Sequence, residues 1–240
     1  MLSASNIPTP SQTTDYSQPT TCILLPAFTI IDNVTPSTVP ELITTIVNHA
    51  PTNTSPIQSV SSHEDPEKQS RLDGLQLPSG LSTRPCYHDT LILLCSQRTR
   101  DARCGQSAPL LKREFERHLR PLGLYRDFED ERPGGVGIFF ISHVGGHKFS
   151  ANVMIYRRAG LGRRGVVQNG NGIMIEPVVE ESSEEEEAVN AGAGQCIWLA
   201  RVRPEDCEGI IKYTVMQGKV VKPERQLRGG FDREKGLCSW

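Results

Sequence analysis

The stretch that decides the fold is Thr90-Leu-Ile-Leu-Leu-Cys95, a continuous apolar run that ends in a cysteine. A short run without polar alternation predicts a strand buried on both faces of a sheet. Val136-Gly-Ile-Phe-Phe-Ile141 is a second run of the same kind. Between them, Ser107 can cap a helix that runs to about Leu119, with apolar residues on one face. The region therefore predicts two buried strands joined by a helix.

Three further elements extend this pattern toward the C-terminus. Residues 152–156 and 196–202 predict two more strands, and a helix is expected from about Pro204 to Met216. The order β-α-β-β-β-α predicts an α/β protein with a thioredoxin-like arrangement, a central sheet flanked by helices. A Gly-rich and acidic insertion over 160–194 separates the third and fourth strands and is expected to be flexible.

The N-terminal part has a different composition. Residues 1–21 are rich in Ser, Thr, Pro and Gln, which predicts disorder. Residues 22–31 predict a strand, and residues 38–49 predict a short helix with Thr38 as its N-cap. The polar stretch 50–83 is interpreted as a linker, so the main domain is expected over 84–240.

Composition limits the classes of function. The chain has 240 residues and a net charge of −2, which does not indicate nucleic acid or a membrane as an obligatory partner. No Lys or Arg precedes Lys68, and no apolar run is long enough to span a bilayer. Residues 1–21 therefore match neither a mitochondrial presequence nor a secretory signal. Seven cysteines at irregular spacing argue against a disulfide framework and for a reducing compartment.

One constellation has the residue types of a metal site. Cys95 and Cys104 are spaced C-x8-C, and His143 and His147 are spaced H-x3-H with two glycines between them. Each pair begins at the end of a predicted buried strand, so both pairs would meet if those strands are neighbours. Two thiols with two imidazoles suit a structural zinc ion or an iron–sulfur cluster. The residues alone leave both open, and either half alone could be chance.

These motifs resemble the fungal sucrase/ferredoxin-like family. The likeness rests on Cys95-x8-Cys104-Gly105, on His143-Val-Gly-Gly-His147 and on the strand and helix over 196–216, and it extends over about residues 84–240. The resemblance implies a thioredoxin-like ferredoxin domain with a two-iron, two-sulfur cluster on Cys95, Cys104, His143 and His147. It also implies an N-terminal thioredoxin-like domain, of which residues 22–49 would be the remaining part.

The expected function is an iron–sulfur redox protein that serves single-electron transfer or thiol-redox homeostasis, and not a substrate-specific enzyme. The alternatives are a structural zinc module that mediates interactions without redox activity, and a truncated chain that no longer folds. The expected partners are a redox protein of unknown identity and the iron–sulfur assembly machinery, with no nucleic acid and no membrane. The resemblance implies a mitochondrial location, with the cytoplasm as the alternative.

Overall fold

The computed structural model describes most of the chain. The described residues are 2–12, 15, 17–57, 72, 74–142, 148–161, 166–169, 172–175 and 192–238. In chain order the strands are β1 (Thr20–Leu24), β2 (Thr29–Val34), β3 (Ser82–Pro85), β4 (Thr90–Cys95), β5 (Val136–Ile141), β6 (Val153–Arg158), β7 (Val166–Asn169), β8 (Gly172–Ile175), β9 (Ala193–Leu199) and β10 (Leu227–Asp232). The helical segments are α1 (39–49), α2 (Ala102–Leu119), α3 (204–215) and α4 (Pro223–Gln226). The protein is mixed α/β, as predicted.

The larger sheet has five strands in the order β10-β9-β6-β4-β5. β4 and β5 are parallel neighbours whose registers end together, with Cys95 opposite Ile141. The other three pairings, β4 with β6, β6 with β9 and β9 with β10, are antiparallel. The carboxyl ends of β4 and β5 therefore lie side by side at one end of the sheet, which is called the Cys95 end below.

The two apolar runs form strands with the predicted boundaries, and β4, α2, β5, β6, β9 and α3 follow one another in the predicted order. The later strands are displaced along the chain. The third strand is Val153–Arg158 and the fourth is Ala193–Leu199, which ends before a turn in which Arg201 adopts a left-handed φ of 56°. β10 was not predicted, because Arg228-Gly-Gly230 has no strand pattern of its own and depends on pairing with β9.

The start of α2 differs from the sequence prediction. The helix begins at Ala102 and not after Ser107, because the Asp101 side chain caps it by accepting a hydrogen bond from the Arg103 backbone N–H at 2.9 Å. Pro109 consequently lies inside the helix and not near its start. No helix in the described part of the chain is long and apolar enough to cross a membrane.

The two faces of the larger sheet are covered differently. On one face, β4, β6 and β9 pack against the apolar sides of α2 and α3. The most buried members of this core are Ile92, Leu94, Phe115, Leu119, Val153, Ile155, Ile197 and Cys207. On the other face, Leu91, Phe139, Cys196 and Phe231 pack against Phe28 and Ile30 of the N-terminal region. The sheet is therefore buried on both faces, which explains why its strands are continuously apolar.

The N-terminal region forms a second, three-stranded sheet in the order β1-β2-β3. The single strand predicted over 22–31 is instead a hairpin of β1 and β2, because Pro26 and the left-handed Phe28 break the extended chain. The predicted helix is present as α1. β3 crosses the predicted boundary at residue 84 and joins the linker to this sheet. The predicted domain limits themselves stay predictions.

The first described residues lie along the open edge of β5. Asn6 donates its backbone N–H to Phe140 O at 3.3 Å, and Ser142 donates its backbone N–H to Ala4 O at 2.7 Å. The Asn6 side chain also accepts the Phe140 N–H at 2.7 Å. These bonds cover an edge that would otherwise present unpaired backbone groups. Disorder had been predicted for residues 1–21, and this part of them is hydrogen bonded.

The predicted flexible insertion over 160–194 contains a two-stranded hairpin of β7 and β8. The last described pair of this hairpin is Asn169 with Gly172. The acidic run of this insertion lies outside the described residues.

Candidate metal centre

Cys95 lies at the carboxyl end of β4 and is 2% exposed. Its backbone N–H donates to Asn152 O at 3.0 Å, and the next residue, Ser96, donates its N–H to Ile141 O at 2.9 Å. The end of β5 therefore lies beside Cys95 on one side, and the start of β6 lies beside it on the other side. Cys95 therefore marks the point where the β5–β6 connection passes the end of β4.

Cys104 lies in the first turn of α2 and is 1% exposed. It belongs to the same cluster of buried residues as Cys95 and Ile141. Gly105 permits this close return of the chain, since a Cβ at that position would lie 2.6 Å from the Cβ of Arg98. The segment 96–103 therefore returns the chain so that Cys104 packs in the same buried cluster as Cys95.

His143 and His147 lie outside the described residues. Their nearest described neighbours are Ser142, which directly follows β5, and Lys148, which precedes β6. In the described part of the chain, no three His, Cys, Asp or Glu side chains group together as a metal site would require. The four-residue ligand set therefore stays a prediction, with its two cysteines in one buried cluster.

The backbone N–H groups around Cys104 are bonded within the chain. The N–H of Arg103 donates to the Asp101 side chain, and those of Cys104 and Gly105 donate to the Asp101 carbonyl oxygen. Arg98 and Arg100 are exposed, and the Arg103 guanidinium pairs with the Asp101 carboxylate at 2.9 Å. That pairing holds the pKa of the Asp101 carboxyl below its usual range. The arginines form a solvated basic loop.

A second cysteine–histidine pair, which the sequence interpretation left unassigned, lies at the opposite end of the sheet. The Cys86 Sγ is 3.5 Å from the His88 Nδ1, and the His88 Nε2 is 3.1 Å from Asp127 O. Arg158 donates to the carbonyl oxygens of Cys86 and His88. Burial lowers the pKa of His88, so the ring is neutral at pH 7. The sequence signal for this pair is the Cys-x-His spacing of Cys86 and His88.

The remaining cysteines do not join the candidate centre. Cys196 and Cys207 are 2% and 0% exposed, so both are core positions. Burial raises the pKa of each thiol to about 12, so neither carries a thiolate at neutral pH. Cys22 is half-buried and Cys238 is exposed.

The chemistry of the described donors fits a metal or cluster site in part. Two thiols from different elements lie in one buried cluster, and the connection that carries both histidines starts and ends beside Cys95. Thiolate sulfur is the ligand that zinc and iron–sulfur centres share. These features define a mixed α/β protein with a candidate thiol-based metal centre at one sheet end.

Comparison with known proteins gives the family. The sequence model of the sucrase/ferredoxin-like family matches residues 1–229, so the chain belongs to that family. The resemblance seen in the sequence is confirmed, and it extends further toward the N-terminus than expected. No solved structure matches the chain.

Curated relatives are fungal proteins. Actin patches distal protein 1 of Saccharomyces cerevisiae is 51% identical over 82 residues, which are 32% of this chain and 26% of that protein. Altered inheritance of mitochondria protein 32 of Meyerozyma guilliermondii is 28% identical over 134 residues, and that of Debaryomyces hansenii is 30% identical over 132. These matches take up 56% and 55% of this chain. The chain spans about a quarter to a third of these relatives, 26% and 33% of their lengths.

Proposed function

We propose that this protein is an iron–sulfur redox protein that exchanges single electrons. Cys95, Cys104, His143 and His147 would hold a two-iron, two-sulfur cluster. The observation that carries the proposal is the register of β4 with β5, which sets Cys95 opposite Ile141, two residues before His143. Membership of the sucrase/ferredoxin-like family supports the same role.

The strand order supports a thioredoxin-like domain. β5, β4, β6 and β9 are consecutive in the sheet, with one parallel pair followed by two antiparallel pairs. α2 connects the parallel strands and α3 follows β9, so both helices pack on the same core. In this arrangement the strand that ends in Cys95 is the second of the five strands in order from the β5 edge, and the cysteine is protected from solvent on both sides.

The ligand types determine the direction of the electrochemistry. When bound, a two-iron cluster supplies one-electron oxidation and reduction. Two thiolates with two neutral imidazoles carry two fewer negative charges than four thiolates, which favours the reduced form and raises the potential. The apolar surroundings of Cys95 and Cys104, among them Phe139, Ile141 and Met154, exclude water from the thiol side. The chain therefore contributes both the charge and the dry environment that set the potential.

Anaerobic purification of the whole chain tests the proposal. A reddish protein with visible absorption, equal amounts of iron and sulfide, and a paramagnetic signal after reduction is the expected result. A colourless protein that contains stoichiometric zinc would instead identify a structural zinc module. A protein that folds but binds neither metal would contradict both assignments.

Replacing one histidine tests the ligand assignment. His143→Cys or His147→Cys is expected to keep the cluster and to lower its potential by on the order of 100 mV, because a thiolate replaces a neutral imidazole. The measurement is a redox titration of the visible absorption. Replacement of His49, which lies in α1, serves as the control and should leave the potential unchanged. Equal potentials in all variants would remove both histidines from the site.

We place the protein in mitochondria, with the cytoplasm as the alternative. The support is the name of the relatives, altered inheritance of mitochondria protein 32. The proposed partners are a one-electron carrier protein and the iron–sulfur assembly machinery. A C-terminal fluorescent fusion that co-fractionates with mitochondria is the expected result, and uniform cytosolic fluorescence would contradict it.

A further inference from the structure

Four connections reach the Cys95 end of the sheet in the described part of the chain. They are residues 96–104 after β4, 148–150 before β6, 200–208 after β9 and 222–228 before and at the start of β10. Because β6 and β9 are antiparallel to their neighbours, all four connections emerge at the same end. These four connections are together called the rim below.

This rim is rich in positive charge. The four connections contain nine Lys and Arg residues and five Asp and Glu residues. Three of the five carboxylates are already paired within the rim: Asp101 with Arg103, Glu205 with Arg203, and Asp206 with Lys222. Among the described residues, no ion pair is formed by Arg98, Arg100, Lys148, Arg201, Arg225 or Arg228. The excess charge of the rim is therefore available to a partner.

Two of these guanidinium groups are held in place on one aromatic ring. The Cζ atoms of Arg201 and Arg228 lie 4.3 Å and 3.5 Å from the centroid of Phe149, which is two residues after His147. The Arg228 Nε is buried and has no hydrogen-bond partner in the described part of the chain. Loss of water lowers the pKa of Arg228, and the nearby charge of Arg201 lowers it further. The one acceptor that Arg228 has is the Arg225 carbonyl oxygen at 3.4 Å, among the described residues. Like charges held together with so little compensation form a site that an external anion would stabilise.

We infer that the rim at the Cys95 end, centred on Arg201, Arg225 and Arg228, is the docking surface for an acidic one-electron carrier protein. This inference rests on the proposed function, because it names the partner class of the same site. Carboxylates on the partner would accept from the unpaired guanidinium donors and would bring its redox centre to the end of the sheet where Cys95 lies. Electrostatic attraction would also speed the encounter.

The rim favours an acidic protein over a nucleic acid. Proteins that bind single strands combine positive charge with aromatic rings on which bases stack. Phe149 is the one aromatic residue in the described rim segments, and both Arg201 and Arg228 already stack on it. Positive charge without an available stacking surface is suited to carboxylates.

Titration calorimetry with two haem proteins of opposite charge tests the inference. The probes are cytochrome b5, which is acidic, and cytochrome c, which is basic. Cytochrome b5 is expected to bind at low salt, and its affinity should fall by about tenfold between about 20 mM and about 200 mM salt. Cytochrome c is expected to bind more weakly at every salt concentration. Stronger binding of cytochrome c, or no binding of cytochrome b5, would overturn the inference.

Paired variants locate the binding. Arg201→Asn with Arg228→Gln removes two charges from the rim, and asparagine tolerates the left-handed backbone at residue 201. The matched control, Arg113→Gln with Arg117→Gln, removes two charges from exposed positions on α2, the nearer of them about 16 Å along the helix from Ala102. The rim variant is expected to lose about fivefold in affinity for cytochrome b5, and the control less than twofold. Equal losses would overturn the inference.

The two proposals fail in different ways. Visible absorption and iron content are measured first on every variant, and a colourless protein contradicts the cluster, not the docking surface. Calorimetry needs no cluster, so it decides the docking surface in either case. With the cluster present, stopped-flow oxidation of the reduced protein by cytochrome b5 should show the same order of variants as the calorimetric affinities. A different order would place the productive encounter elsewhere.

Discussion

The two ends of the larger sheet use similar residues in opposite ways. Each end has a buried cysteine, Cys86 at one and Cys95 at the other, and a guanidinium over a phenylalanine ring. Arg158 lies 4.6 Å from the Phe28 centroid, and Arg228 lies 3.5 Å from that of Phe149. The ends differ in how fully the guanidinium group is hydrogen bonded to the chain.

At the Cys86 end the groups bond to one another. Arg158 donates to two backbone carbonyls, and the His88 ring bridges a thiol and the Asp127 carbonyl. At the Cys95 end, the thiols lie where strands and a helix terminate, and the Arg228 Nε has no partner among the described residues. Residue type alone therefore does not distinguish a structural group from a candidate binding group. The two ends differ in the number of hydrogen-bond donors that remain on the guanidinium group.

The largest expected effect distinguishes the cysteines. Cys95→Ser or Cys104→Ser is expected to abolish the visible absorption of the anaerobically purified protein, because a hydroxyl is a poor replacement for a thiolate ligand. Cys86→Ser, at the opposite end, is the matched control and should keep full iron and sulfide per folded molecule. Loss of iron in the Cys86 variant as well would mean that the two ends do not differ in this way.

A smaller effect distinguishes the two stacked arginines. Arg158→Met leaves the carbonyls of Cys86 and His88 without their donor and is expected to lower the free energy of unfolding by about 3 kcal/mol. Arg228→Met loses one hydrogen bond, the 3.4 Å contact with Arg225 O, and relieves repulsion with Arg201. It should cost about 1 kcal/mol or less. Urea denaturation of both variants gives the comparison, and equal losses would contradict it.

The smallest effect is a pH dependence at the Cys86 end. Burial lowers the pKa of His88, whereas the unfolded chain binds this proton near pH 6.5. The contribution of His88 to stability is therefore complete above pH 6.5 and is lost as the pH falls toward its folded pKa. The slope is at most about 1.4 kcal/mol per pH unit. His88→Gln should flatten the free energy of unfolding between about pH 5 and pH 6.5.

The same His88 variant carries its own control. Above about pH 7 both the folded and the unfolded chain have a neutral His88, so the curves of wild type and variant should run parallel there. Curves that remain parallel down to pH 5 would show that His88 takes no part in the acid sensitivity.

The sequence pattern predicted the strands that are buried on both faces. The bounds of β4 and β5 were predicted to the residue because such strands are continuous apolar runs. The start of α2 was predicted wrongly because the N-cap residue is Asp101. Asp101 lies in the polar stretch before Ser107, which was the expected N-cap. β10 was missed because a glycine-rich strand is determined by its partner across the sheet.

The candidate site was predictable in part for the same reason. Cys95 could be placed at a sheet end because its strand was recognised, and the position of His143 after a parallel neighbour followed from the second strand. The contact of Arg201 and Arg228 with the Phe149 ring was not foreseen, since it joins three connections that are distant in sequence. No local pattern records such a contact.

The hydrogen bonds between Ala4, Asn6 and β5 also matter to anyone who labels or tethers this protein. They run antiparallel to β5, so the chain before Ala4 points out of the sheet beyond Ser142, at the Cys95 end. A tag, dye or surface anchor attached ahead of Met1 would therefore stand next to the rim of basic connections. The same attachment at Cys238, which is exposed near the far end of β10, would leave that rim open.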